Sequence, residues 1–171
     1  LTLDRNIVQV VPTHDTTQFV LALGAWDIVL GRRGDTTSTP LVATQFSEGW
    51  PARSPDERWL AYAANESGSY EVYVRPFPDV NAGRWQVSKA GGTAPLWSHS
   101  GRELFFRNGA RALVAAAVGP GSSFTLGAQA VLFDASRFAG NTSSLFYDVA
   151  PDDKRFVMLR PVAQSGSANP A

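Results

Sequence analysis

Ser54-Pro55-Asp56-Glu57-Arg58-Trp59-Leu60-Ala61-Tyr62 is a tight turn that runs at once into a short apolar strand. Proline presets the backbone angle at the second position of such a turn, and an aspartate there bonds the backbone amide two residues on. The phrase returns as Ser98-His99-Ser100-Gly101-Arg102-Glu103-Leu104-Phe105-Phe106 and as Ala150-Pro151-Asp152-Asp153-Lys154-Arg155-Phe156-Val157-Met158. The spacings are 44 residues (54 to 98) and 52 residues (98 to 150). A repeat of that length, built from a turn and a short strand, is the sequence mark of β-propeller blades. Ser54, Pro55, Asp56, Gly101, Pro151 and Asp152 are therefore assigned as structural turn residues. Glu57 and Asp153 stand where Gly101 stands in the other copy, a change expected only to modify the turn.

Outward from these turns, 15 glycines and 11 prolines separate short runs rich in Val, Phe, Tyr and Trp, residues that fit a pleated surface. No stretch sustains the three-and-four apolar spacing of a helix. Ala112 to Val118 is bounded by Asn108-Gly109 and Gly119-Pro120-Gly121 and reads as a strand, with Asn-Gly as a hairpin signal. The runs group into four-stranded units. The first holds Ile7–Val11, Gln18–Leu23, Trp26–Leu30 and Pro40–Ala43; the second Trp50–Arg53, Arg58–Ala64, Tyr70–Arg75 and Arg84–Val87; the third Pro95–Trp97, Glu103–Arg107, Leu113–Val118 and Ala130–Phe133. A fourth shows only Leu145–Asp148 and Phe156–Arg160. The first unit lacks a clear copy of the phrase; Gln18-Phe19-Val20-Leu21 aligns with Arg58-Trp59-Leu60-Ala61 at an offset of 40 residues, and Asp27–Leu30 with Glu71–Val74 at 44. The expected fold is all-β: a partial propeller of about three and a half four-stranded antiparallel blades, in one domain over 1–160. The blades cover approximately 1–44, 45–89, 90–134 and 135–160, and 161–171 is a flexible tail.

Composition excludes several functions. The chain has 171 residues, 15 basic and 15 acidic, so nothing electrostatic favours nucleic acid or an anionic membrane. No apolar run approaches the ~18 residues that span a bilayer, so membrane insertion is not expected. The absence of cysteine removes disulfides, thiolate nucleophiles and thiolate metal sites. It also fits a periplasmic or otherwise extracytoplasmic protein better than it argues for any other compartment.

The search for chemistry returns little. Both histidines, His14 and His99, lie in turns, no His-x-x-x-His pair exists, and without cysteine a zinc site would need distant carboxylates. No Gly-x-Ser-x-Gly elbow is present, and Gly119-Pro120-Gly121-Ser122-Ser123 has no lysine to make it a phosphate loop. Neither catalytic residues, nor a metal site, nor a cofactor is expected. Asn65-Glu66-Ser67 and Asn141-Thr142-Ser143 match a glycosylation pattern that is common by chance. The tryptophans flanking the turns serve either as exposed aromatics for a ligand or as packing between blades, the second being the commoner use.

The ordered series Arg53-Ser54-Pro55-Asp56, Glu71-Val72-Tyr73-Val74-Arg75-Pro76-Phe77-Pro78, Trp85-Gln86-Val87-Ser88, Gly91-Gly92, Pro95-Leu96-Trp97 and Tyr147-Asp148-Val149-Ala150-Pro151-Asp152 resembles the WD40-like repeats of TolB-type propellers. It is similar in particular to the C-terminal part of the propeller attached to bacterial serine/threonine protein kinases. The likeness covers roughly 40–160. It implies a bacterial sensing or scaffolding propeller, while no kinase signature is present in this chain. Propellers of that family have six or more blades, so open blade edges are expected to seek partners, including a second copy. The expected function is a non-catalytic scaffold that binds protein or peptide and forms homo-oligomers. Its contacts are expected at Trp50, Arg53, Trp97 and His99, in the loops 14–17, 49–54, 92–99 and 138–144. The alternative is the propeller portion of a larger prolyl-oligopeptidase-like hydrolase, gating substrate access.

Overall fold

A computed structural model describes residues 6–24, 26–139 and 145–161. Strands β1 (Ile7–Pro12), β2 (Gln18–Leu23), β3 (Ile28–Arg32) and β4 (Ser38–Val42) form one antiparallel sheet in that order. Strands β5 (Glu48–Arg53), β6 (Trp59–Ala64), β7 (Glu71–Pro76) and β8 (Trp85–Gln86) form the second. The third contains β9 (Gly92–Trp97), β10 (Glu103–Asn108), β11 (Ala112–Val118) and β12 (Leu126–Asp134). A two-stranded sheet of β13 (Tyr147–Val149) and β14 (Phe156–Met158) follows. Each sheet is a meander in chain order, so each is a blade. The described residues contain no helix and make three full blades and half of a fourth.

Strand β6 shows why the blades stack. All six of its residues are buried, because successive side chains leave opposite faces of the sheet. Leu60, Tyr62 and Ala64 join Val20, Ile28 and Val42 of the first blade. Trp59 and Ala61 join Leu104, Phe106 and Val114 of the third. A slip of one residue would exchange these two sets, so both interfaces pin the register. On the far side of the third blade, Phe105, Leu113 and Ala115 pack with Tyr147 and Val149.

The first blade carries the turn phrase that the sequence hides. Thr17, Arg58 and Lys154 each donate their amide to the aspartate two residues earlier, Asp15, Asp56 and Asp152, at 3.0, 3.2 and 3.1 Å. The carbonyls of Thr17, Arg58 and Arg102 each accept a bond from the third strand's exit, at Arg33, Phe77 and Val118. Thr13-His14-Asp15 thus corresponds to Ser54-Pro55-Asp56 at an offset of 41 residues (13 to 54), one more than the alignment from sequence. The offset of 44 between Ile28 and Val72 stands, since Ile28 pairs with Ala22 as Val72 pairs with Ala63.

Three local expectations change. Trp26 does not open a strand: it sits in the turn before β3 at φ 64, its amide donating to the Leu23 carbonyl. In the Asn108–Arg111 turn the left-handed residue is Arg111, at φ 63, and not Gly109. Gly109 is needed for proximity instead, since a Cβ there would lie 2.5 Å from the Ala90 carbonyl oxygen that its amide bonds. The outermost strand of the third blade runs nine residues, from Leu126, where the sequence pattern predicts four from Ala130.

Candidate functional site

The turns at the ends of the innermost strands gather at one end of the molecule. There the acidic residues expected merely to modify their own turns reach across to the preceding blade. Glu57 accepts the His14 backbone amide and meets the Arg53 guanidinium at 2.6 Å. Asp153 accepts the amides of His99 and Ser100 at 2.6 and 3.0 Å. Both acids sit in left-handed backbone, at φ 57 and 58, which aims their side chains out of the turn. At the junction between the second and third blades the same two positions are Pro55, which has no amide to donate, and Gly101, which has no carboxylate to receive it. The donor and the acceptor are lost together.

This contact makes a mutational contrast. Asp153→Ala and Glu57→Ala should each lower the unfolding free energy by about 1–2 kcal/mol, the usual worth of a charge-assisted bond with part of its partner left unsatisfied. Gly101→Asp should give no compensating gain and should cost about 1 kcal/mol for the left-handed backbone. Urea unfolding of the three variants checks this, and a stabilising Gly101→Asp would refute it.

Electrostatics at these turns point one way. Asp15, Asp56, Asp152 and Asp153 are all held below the ordinary aspartate value of 3.8. The Thr17 hydroxyl, then Gln18, bring Asp15 to about 2. The Lys154 amide is the main cause at Asp152. Burial pushes Asp56 and Asp153 upward, but the bonds from Ser54 and Arg58, and from the His99 and Ser100 amides, outweigh it. A carboxylate whose folded pKa is depressed contributes stability that is complete above its unfolded value and is lost as pH falls through its folded one. Unfolding free energy should therefore hold above about pH 5 and drop between about pH 4 and pH 2. Denaturant titrations across that window test it, and stability that rose on acidification would contradict it.

The four residues expected to contact a ligand fall into two groups. Trp50 and Trp97 are interior, 3% and 5% exposed. The Trp97 indole donates to the Ala52 carbonyl at 3.0 Å, tying the third blade to the second. Trp50 occupies a bulge of β5 at φ 51 and packs against Trp26 and Tyr70, with ring centroids 6.1 and 5.3 Å away. Its indole nitrogen is the one buried side-chain polar atom among the described residues without a hydrogen-bond partner. Arg53 and His99 lie at the turn end, yet both are engaged between blades. Arg53 Nε donates to the Pro12 carbonyl at 3.0 Å, and His99 Nε2 lies 3.1 Å from the Val149 carbonyl. The segments 49–54 and 92–99 are not loops in the main but the innermost strands β5 and β9; their prolines sit just after the bulged residues Trp50 and Ala94, which the sequence pattern mimics as a break. Of the segment 138–144, residues 140–144 lie outside the described residues, as do Asn141-Thr142-Ser143 and 162–171 of the expected tail.

Surfaces left open lie elsewhere. On the half-blade Val157 and Leu159 are 67% and 56% exposed, beside a hollow of 370 Å³ lined by Phe146, Asp148, Val157 and Leu159 among others. On the outer strand of the third blade Val131 is 64% exposed. A second hollow, of 480 Å³, lies between that strand and residues 87–91. Among the described residues no group of three or more His, Asp or Glu could hold a metal ion, and no helix is long and apolar enough to cross a membrane.

Sheets stacked blade on blade, each a four-stranded meander, define a β-propeller, present here in part. Solved propellers superpose on it. TolB from Acinetobacter baumannii matches at TM-score 0.63 and 14% identity over 94% of this chain. A putative 6-phosphogluconolactonase from Bacteroides uniformis matches at 0.58 and 13% over 90%. The Swd1 β-propeller domain from Myceliophteria thermophila matches at 0.56 and 12% over 75%. This chain spans 39%, 47% and 46% of those three chains, respectively. No family model and no curated protein matches it. At these identities the likeness is one of fold.

Proposed function

We propose that this chain is a non-catalytic β-propeller scaffold that binds protein or peptide and associates with copies of itself through its open blade edges. The observation that carries the reading is the fourth blade, which has two strands among the described residues. β13 and β14 form a sheet of two strands, and their outward face offers Val157 and Leu159 to solvent. Unpaired strand edges and apolar blade faces are surfaces that other chains cover. At the other end of the stack Val10 of β1 is 54% exposed. The two histidines are bound into contacts between blades, which supports scaffolding over chemistry at those turns. The sequence resemblance adds that the scaffold serves as the sensing part of a bacterial, kinase-linked propeller, and the absence of cysteine favours an extracytoplasmic compartment.

Sedimentation at micromolar concentration tests the self-association. A species heavier than the 18.4 kDa chain is expected, reverting toward 18.4 kDa in the Val157→Lys variant. A stable monomer in the parent chain would remove self-association from the proposal.

A further inference from the structure

The outer edges of the three complete blades are not alike. β8 spans two residues, and β4 spans five with Pro40 in the middle, so both are poor templates for a further strand. Short edges, prolines and charges are the usual means of blunting an edge. β12 is neither short nor interrupted by proline, and its one charge, Asp134, is its last residue. It runs nine residues, it is last in its sheet, and from Leu126 to Phe133 it carries neither a charge nor a proline. Six consecutive residues, 127–132, are exposed, with Val131 at 64% and Leu132 at 42%.

Beside this edge, on the side facing the second blade, lies the 480 Å³ hollow. Its floor is apolar, from Val87, Phe106, Val114 and Leu126, and Lys89 is the sole charged residue lining it. The Gln129 side chain donates to the Val87 carbonyl at 2.7 Å and holds the strand against residues 87–91. A strand added along β12 would satisfy its backbone groups and would place every second side chain over this hollow. Main-chain bonds would supply the affinity and the hollow the choice of side chain.

We propose that the free edge of β12 and the adjoining hollow form a strand-addition site for an extended segment of a partner protein, one that sets an apolar side chain into the hollow and an acidic side chain beside Lys89. This rests on the reading of the chain as a peptide-binding scaffold. The backbone edge selects an extended occupant, the floor selects an apolar side chain, and the lone cation selects the acid.

The test is selection of a displayed library of linear peptides on the whole chain, followed by titration of synthetic copies of the enriched peptides. Enriched sequences should alternate apolar residues and carry an acid. Their binding should weaken about tenfold or more, a loss of about 1.4 kcal/mol, in Val131→Lys and in Leu132→Lys. Both side chains are solvated, so neither change threatens folding. Lys89→Glu should turn the preference from acidic to basic peptides, which a general loss of structure would not do. Peptides that bind Val131→Lys and Leu132→Lys as well as the parent, but fail on Val157→Lys, would overturn the β12 site and leave the scaffold reading standing. An empty selection would overturn both. If Val131→Lys instead converts a sedimenting dimer to a monomer, the occupant is a second copy and the partner-segment proposal falls.

Discussion

Trp59→Ala is expected to lower the unfolding free energy by about 3–5 kcal/mol, the range for removing a large aromatic from a packed core. Trp59 is 7% exposed and fills the contact between the second and third blades. It meets Trp85 edge-on with centroids 5.6 Å apart, and Phe124, carried by the loop of the third blade, at 5.5 Å. The alternative residues at this position in the repeat are Gln18, Glu103 and Arg155, so the aromatic belongs to this one interface. Its backbone is fixed by the turn: the Trp59 amide donates to the Ser54 hydroxyl at 3.0 Å, and the Ser54 amide donates to the Trp59 carbonyl at 2.8 Å. Alanine would keep both bonds and leave a void that neither Trp85 nor Phe124 can fill without leaving its own packing. Chemical denaturation of Trp59→Ala beside Glu103→Ala separates the interface from the position. The latter should cost about 1 kcal/mol or less. A loss below about 1 kcal/mol for Trp59→Ala would mean that the second and third blades do not depend on each other as described.

What the sequence discloses and what it hides follow from how far each signal reaches. Turn chemistry and period-two alternation are local, and they place the strands; Ala112–Val118 is a strand between the turns at Asn108-Gly109 and Gly119-Pro120-Gly121. The first blade's turn stays hidden because its bonds need only an acceptor at Asp15 and an amide two residues on, and Thr13-His14-Asp15 supplies these without a proline. Long-range partners leave no such trace. Glu57 and Asp153 look like substitutes for a turn glycine, and their partners, His14 and His99, lie 43 and 54 residues away. Trp50 and Trp97 are equally opaque: a tryptophan beside a turn is placed on a strand by sequence, but the bulge at Trp50 decides where the ring points. The length of β12 is masked by Gly127 and by irregular pairing with β11, which breaks the alternation that announces a strand. Two exposed surfaces, the half-blade and the β12 edge, are thus defined by what fails to cover them, a property that no single segment encodes.

Replacing Arg107 by methionine should cost about 2–4 kcal/mol and should loosen the fourth blade before the others. Arg107 is a charged residue 7% exposed at the back of β10. Its guanidinium donates to the Ala139 carbonyl at 2.7 Å and to the Ala135 carbonyl at 3.0 Å, so it clamps residues 135–139, where the chain leaves the third blade. That segment holds the half-blade in turn: the Ala139 amide donates to the Leu159 carbonyl at 2.8 Å, just beyond β14. Methionine retains an apolar stem of similar length but leaves two carbonyls without their donors. Away from the turn contacts of His99 and Asp153, the Tyr147 hydroxyl also crosses this junction, donating to the Ala94 carbonyl at 2.7 Å. Amide exchange reads the outcome. The amides of Tyr147–Val149 and Phe156–Met158 should exchange faster in Arg107→Met, while those of Trp59–Ala64, with a packed blade on each side, should change only in proportion to global stability. Uniform acceleration across all blades would show that the half-blade opens only with the whole, and that Arg107 stabilises the stack without governing its open end.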